Sequence, residues 1–167
     1  QHAGGAAYAI GLDEATGIAI SDGVGTVFGS GTVTVLDNRD AAYKGTDTHF
    51  AVSGLRVSLL SAGDQFNFSN GCMLPAASKS AVSGSAETEQ PEDLLAANSA
   101  QTRALLTFAR SADPSARYTV SAEGDSFTLT LQKGEDFAVF SSEKTYAASA
   151  LSDLPQTAAG GLLLDIE

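Results

Sequence analysis

Residues 8–36 constrain the fold more than any other stretch. They hold three short apolar runs, Tyr8–Leu12, Gly17–Ile20 and Thr26–Leu36. Asp13-Glu14-Ala15-Thr16 separates the first two, and Ser21-Asp22-Gly23 precedes the third. Apolar runs bounded by turn formers predict strand, turn, strand, turn, strand. Alternation along the first strand sets Ile10 and Leu12 against Gly11 and Asp13. The glycines of Gly29-Ser30-Gly31 interrupt the third run and predict a bulge or a close backbone approach. The acidic pair Asp13-Glu14 falls where the first strand ends.

The remaining chain is mostly β by the same criteria. Residues 37–51 read as a loop. Ala51–Ser61 carries Val52, Leu55, Val57, Leu59 and Leu60 and predicts a strand. Ala62-Gly63-Asp64 turns the chain into a short strand at Gln65–Ser69. Residues 76–91 read as a linker between unit 1–75 and unit 92–167. Pro91-Glu92-Asp93 predicts a helix start, because proline suits the first turn and carboxylates favour the positive end of the helix dipole. Leu94, Ala97, Gln101, Leu105 and Phe108 then recur every three or four residues, up to the stop at Asp113-Pro114. Ala116–Ala122 and Phe127, Leu129 and Leu131 predict a hairpin around Glu123-Gly124-Asp125. A turn is expected at Lys133–Asp136 and a further strand at Phe137–Ser141. Residues 145–167 are small and mixed, ending in an apolar stretch.

Composition narrows the function classes. The chain has 167 residues, 43% of them hydrophobic and 17% charged, and a net charge of −11. At this length roughly 70% of the unfolded surface is buried on folding. The negative charge argues against nucleic acid as a partner, since phosphates select Lys and Arg. It suits solubility or a cationic substrate. No stretch of about 18 apolar residues is present, so no membrane-spanning helix is expected. The single cysteine, Cys72, reads as a small hydrophobe without a local base. No metal-ligand spacing occurs, and neither a metal nor a cofactor is expected. The first residue is Gln1 rather than Met, which is expected either of a cleaved chain, as in secreted or periplasmic proteins, or of a sequence whose upstream part is missing.

No complete catalytic set is present. The two histidines, His2 and His49, lie at a loose end and in a loop. Gly29-Ser30-Gly31 is not a nucleophile elbow, because Phe28 and Thr32 stand where that motif has glycines. Ser141-Ser-Glu-Lys144 matches Ser-x-x-Lys at a level many unrelated sequences reach. Gly23-Val-Gly25 lacks the further glycine and the helix of a phosphate loop.

A family resemblance gives Glu14 a meaning that composition does not. The stretch Ala9-Ile-Gly-Leu-Asp-Glu-Ala-Thr-Gly-Ile-Ala-Ile resembles the Gly-Ile-Gly-Ile-Asp-Glu-x-Thr-Ala segment of cyanophycinase-like serine peptidases. Thr26-Val-Phe-Gly-Ser-Gly-Thr-Val-Thr-Val-Leu-Asp37 is similar to the family's Val-Ile-Gly-Ser-Gly-x-Val segment. Leu55-Arg-Val-Ser-Leu-Leu-Ser-Ala-Gly-Asp-Gln-Phe-Asn-Phe68 resembles its closing strand. The blocks span residues 9–69 in the family's order, with Ala9 standing for a Gly and Gly17 for an Ala.

The resemblance implies an α/β fold: the C-terminal part of a class-I glutamine-amidotransferase-like domain, β-rich, followed by an α+β extension. It implies a Ser–His–Glu peptidase that hydrolyses aspartyl peptide bonds of the β-aspartyl-arginine type, as in cyanophycin. Glu14 takes the place of the triad glutamate, with Asp13 its neighbour. The nucleophilic Ser and the His would come from an N-terminal half of the same precursor, so a partner chain and a larger assembly are expected. The rival reading is a non-catalytic β-rich binding or assembly module, or an inactive peptidase relative.

Overall fold

The apolar run Thr26–Leu36 is two strands, and the break between them divides the molecule into layers. In the computed structural model, residues 6–46, 50–84, 94, 99–122, 125–147 and 149–167 are described. β3 (Val24–Gly29) and β4 (Val33–Asp37) flank the break. Gly29 makes it possible: its φ is 109°, and a Cβ there would lie 2.2 Å from the Ala15 carbonyl oxygen. Only glycine accepts that backbone and that approach. The chain therefore changes sheet at Ser30–Thr32. β1 (Tyr8–Leu12) pairs with β4, whereas β2 (Thr16–Ser21) pairs with β3.

The larger sheet has the order β1-β4-β6-β12-β11-β10, with β6 at Val52–Leu60, β10 at Ser115–Ala122, β11 at Asp125–Thr145 and β12 at Pro155–Ile166. Two short strands attach to it, β5 (Ala42–Tyr43) on β6 and β9 (Ser80–Ala81) on β11. The smaller sheet runs β2-β3-β7-β8, with β7 at Gln65–Asn67 and β8 at Cys72–Leu74. Every pairing among the described strands is antiparallel. The expectation of a β-rich chain holds, with α1 (Ala100–Arg110) as its one α-helix among the described residues. β12 lies between β6 and β11, so the expected units 1–75 and 92–167 contribute strands to one sheet.

Strand alternation gives the larger sheet two apolar faces. Val33 and Val35 of β4 and Leu60 of β6 point at Val27 and Phe66 of the smaller sheet, and Tyr8 and Phe68 close this core edge-to-face. The opposite face carries Val57, Leu59, Tyr118, Val120, Leu131 and Leu162, which pack with Leu106 and Phe108 of α1. Each fully buried side chain of this kind contributes roughly 1.5–3 kcal/mol. The order is sheet, sheet, helix.

Four expectations change. The helix starts at Ala100, preceded by Ser99 at φ 69°, and Leu94 stands in a turn. The start expected at Pro91 lies outside the described residues. Phe108 is buried as expected, but Gln101 is exposed and Leu105 half-buried. The stretch Leu106–Ala109 is buried on every side, because α1 sinks its last turns between strands. Lys133–Asp136 is not a turn: β11 passes through it with a bulge against β12. There Gly161 has φ 75°, and a Cβ on it would lie 2.7 Å from the Phe137 backbone. Residues 145–167, left without an assignment by their small side chains, supply the central strand β12. Cys72 is exposed on β8 instead of buried.

Candidate functional site

The two acids at the end of β1 point different ways and have different surroundings. β1 ends at Leu12, and Asp13-Glu14-Ala15 turns the chain into β2 with Ala15 at φ 54°. The Asp13 N–H donates to the Thr32 carbonyl at 3.0 Å. Its carboxylate accepts from the Thr32 N–H at 3.0 Å and from the Thr102 hydroxyl of α1 at 3.2 Å. The Thr16 hydroxyl accepts from the Gly31 N–H at 2.7 Å and donates to the Glu14 carbonyl at 3.1 Å. Asp13 thus ties the turn to the sheet-changing break and to the helix.

Glu14 is exposed at the tip of that turn. Its carboxylate has no partner among the described residues. His2 and His49 lie outside the described residues. Beside Asp13, between α1 and the larger sheet, is a cavity of about 390 Å³. A second cavity of about 330 Å³ lies on the other side of the sheet, beside Arg56, Asp136 and Cys72.

The third chemistry-bearing cluster falls in a place the sequence marks as linker. Lys79 reaches back into the junction of β6 and β7. Its ammonium donates to the Ser61 hydroxyl at 2.6 Å and pairs with Asp64. The side chains of Lys79 and Asp64 are 1% and 0% exposed. Asp64 also accepts from the Ser61 N–H at 2.7 Å and the Ala76 N–H at 2.8 Å. Ser61 in turn donates to the Thr157 carbonyl of β12 at 3.2 Å. Burial pulls the Lys79 ammonium below its ordinary pKa, and the hydrogen bond and charge of Asp64 oppose that.

A serine hydroxyl beside a lysine is also the arrangement of a Ser–Lys nucleophile. Here Ser61 is 0% exposed, and no described cavity reaches its oxygen. A nucleophile needs a substrate within attacking distance. The cluster is a buried, hydrogen-bonded pin that fastens the segment after β8 and β12 to the β6–β7 turn. Nothing in the spacing of Ser61, Asp64 and Lys79 announces it, because the contact depends on how the polar segment 75–79 folds back.

Among the described residues no group of His, Cys, Asp and Glu could hold a metal ion, and no helix is long and apolar enough to cross a membrane. Ser141 hydrogen-bonds Thr157 at 3.1 Å, and Ser142 donates to the Lys144 carbonyl at 3.2 Å, so the Ser-x-x-Lys match is part of strand β11.

The backbone of β1 carries the remaining feature. Asn38 N–H donates to the Ala7 carbonyl, and Asp13 N–H to that of Thr32, both at 3.0 Å. In an antiparallel strand the polar groups alternate sides. Residues 7, 9, 11 and 13 therefore turn theirs toward β4, and Tyr8, Ile10 and Leu12 turn theirs outward. No described strand pairs with that outer edge. Ile10 and Leu12 are 38% and 53% exposed there. In comparisons with protein-family models, curated proteins and solved structures, none matches this chain.

Proposed function

We propose that this chain is a β-rich assembly module with no catalytic centre of its own, which completes a larger sheet by giving the outer edge of β1 to a partner strand. The free edge carries this reading. It combines outward backbone groups at Tyr8, Ile10 and Leu12 with exposed apolar side chains, and β-augmentation uses that pairing. The antiparallel sheets and the lack of a described nucleophile–base pair agree with a binding role.

The partner is the upstream half of a cyanophycinase-like serine peptidase, carrying the nucleophilic Ser and the His. The class-I glutamine-amidotransferase-like fold enters the proposal through the blocks at residues 9–69 alone. Glu14 directly follows the docking strand, so a partner strand laid along β1 ends beside its carboxylate. In the assembly Glu14 orients the imidazole, and the substrate is an aspartyl peptide of the β-aspartyl-arginine type.

Co-expression with the segment this reading sets before Gln1 tests it. The expected result is a one-to-one complex that hydrolyses an Asp-Arg polymer. Ile10→Pro removes an outward donor without touching the β1–β4 bonds, and abolishes the complex. Glu14→Ala keeps the complex and lowers turnover by roughly 10⁴-fold, the loss seen when a triad carboxylate is removed. A complex with unchanged turnover for Glu14→Ala removes the catalytic part. A chain that stays monomeric beside its upstream segment removes the whole reading.

A further inference from the structure

The cavity of about 390 Å³ between α1 and the larger sheet shares Leu12 with the docking edge, but neither Tyr8 nor Ile10. Its size is within the range of small-molecule sites. α1 is only 11 residues long and covers part of the sheet face, leaving Leu36, Phe127, Leu129 and Leu164 half-buried beneath the gap. The walls are apolar and two of them aromatic, Tyr118 and Phe127. The polar lining residues are Asp13, Thr34, Gln101 and Thr102, of which Asp13 and Thr102 are hydrogen-bonded to each other.

Asp13 is the only acidic or basic residue among the described residues of that lining. Its carboxylate has about four acceptor positions and uses two, for Thr32 and Thr102. The remaining positions accept from a donor, and the aromatic walls favour a cation over an anion. A net charge of −11 discourages anionic ligands further.

We propose that this cavity binds a small amphipathic amine, with its apolar body against the sheet and its ammonium on the Asp13 carboxylate. The apolar walls supply affinity and the single carboxylate supplies orientation. The site lies on the α1 face of β1, whereas the docking edge runs along the strand's outer side. Binding therefore does not depend on the peptidase reading, and the isolated chain is enough to test it.

Titration calorimetry on the chain with n-hexylamine, n-hexanol and hexanoate separates the contributions. Hexylamine is expected to bind with a Kd on the order of 0.1–1 mM, hexanol about tenfold more weakly, and hexanoate not measurably. Asp13→Asn keeps an acceptor for the Thr32 N–H and is expected to bring hexylamine to the level of hexanol. Leu105→Trp fills the cavity from the helix and is expected to abolish binding of both. No heat from hexylamine overturns the proposal. So does equal binding of hexanoate, which would mark unselective apolar adsorption. The wild-type amine–alcohol comparison decides the role of the charge even if the Asp13 variant folds poorly.

Discussion

The larger sheet ends in two edge strands that are built differently. On β10, buried Ala116, Tyr118 and Val120 alternate with exposed Ser115, Arg117, Thr119 and Ser121. Polar and charged residues on an edge strand discourage pairing with other chains. On β1 the residues exposed at the edge include Ile10 and Leu12, and no charge guards Tyr8–Leu12. The same sheet thus has one closed end and one open end. The difference teaches that an unguarded edge is a property of particular residues rather than of sheet topology, and it is what the docking proposal for β1 rests on.

The supports of the larger sheet's two faces also differ. On the face toward the smaller sheet, the buried Lys79–Asp64 pin holds the smaller sheet's connections. On the α1 side, the fastening is the partly exposed Arg103–Asp153 pair, with a guanidinium–carboxylate contact at 2.6 Å. Breaking a buried pair leaves an uncompensated charge, whereas an exposed pair contributes little. Lys79→Met is therefore expected to have the largest effect, a loss of about 3–5 kcal/mol of stability in urea unfolding. A loss below about 1 kcal/mol would mean that the pin is dispensable and that the two faces are held alike.

The edge itself gives the next largest effect. Ile10→Lys with Leu12→Lys is expected to weaken association with the partner strand by about 100-fold or more, while chain stability moves by no more than roughly 0.5 kcal/mol. Arg117→Val on β10 is the mirror experiment and is expected to raise self-association measured by sedimentation. Equal sensitivity of the two edges to lysine substitution breaks the comparison.

The smallest effect is expected in acid. The Arg103 hydrogen bonds hold the Asp153 carboxyl down to about 2, against an ordinary value of 3.8. A depressed carboxyl stabilises the fold above 3.8, and that contribution is lost as pH falls toward 2 and below. Protection factors of the α1 amides, corrected for intrinsic exchange, should therefore fall between pH 4 and about 2, and Asp153→Asn should flatten that pH dependence. Acid sensitivity centred on β7 and β8 instead would place the weaker fastening on the other side.

Much of the β framework was legible where alternation is strong. Tyr8–Leu12, Val52–Leu60 and the hairpin of β10 and β11 follow from apolar residues at every second position, bounded by turns. β12 was not legible. Ala158, Ala159, Gly160 and Gly161 have little β propensity, yet the strand is buried at the centre of the sheet. One position on it does need a glycine: a Cβ on Gly161 would lie 2.7 Å from the Phe137 backbone. The stretch Lys133–Asp136 carries turn residues that instead absorb a bulge. At the candidate site the sequence picked out the turn at Asp13-Glu14, but not which acid is bonded. That depends on Thr32 and Thr102, which lie 19 and 89 residues away from Asp13. The Lys79 pin was hidden for the same reason, since a polar stretch rich in small residues reads as linker until its contacts are known.

The most direct measurement is residue-resolved amide exchange along β1, in the chain alone and in complex with the proposed partner. Docking at the open edge predicts that Tyr8, Ile10 and Leu12 exchange fast in the chain alone and slow by about 100-fold or more in the complex, while Ala9 and Gly11 are slow in both. Unchanged exchange at Ile10 and Leu12 on complex formation, or protection of both in the isolated monomer, contradicts it.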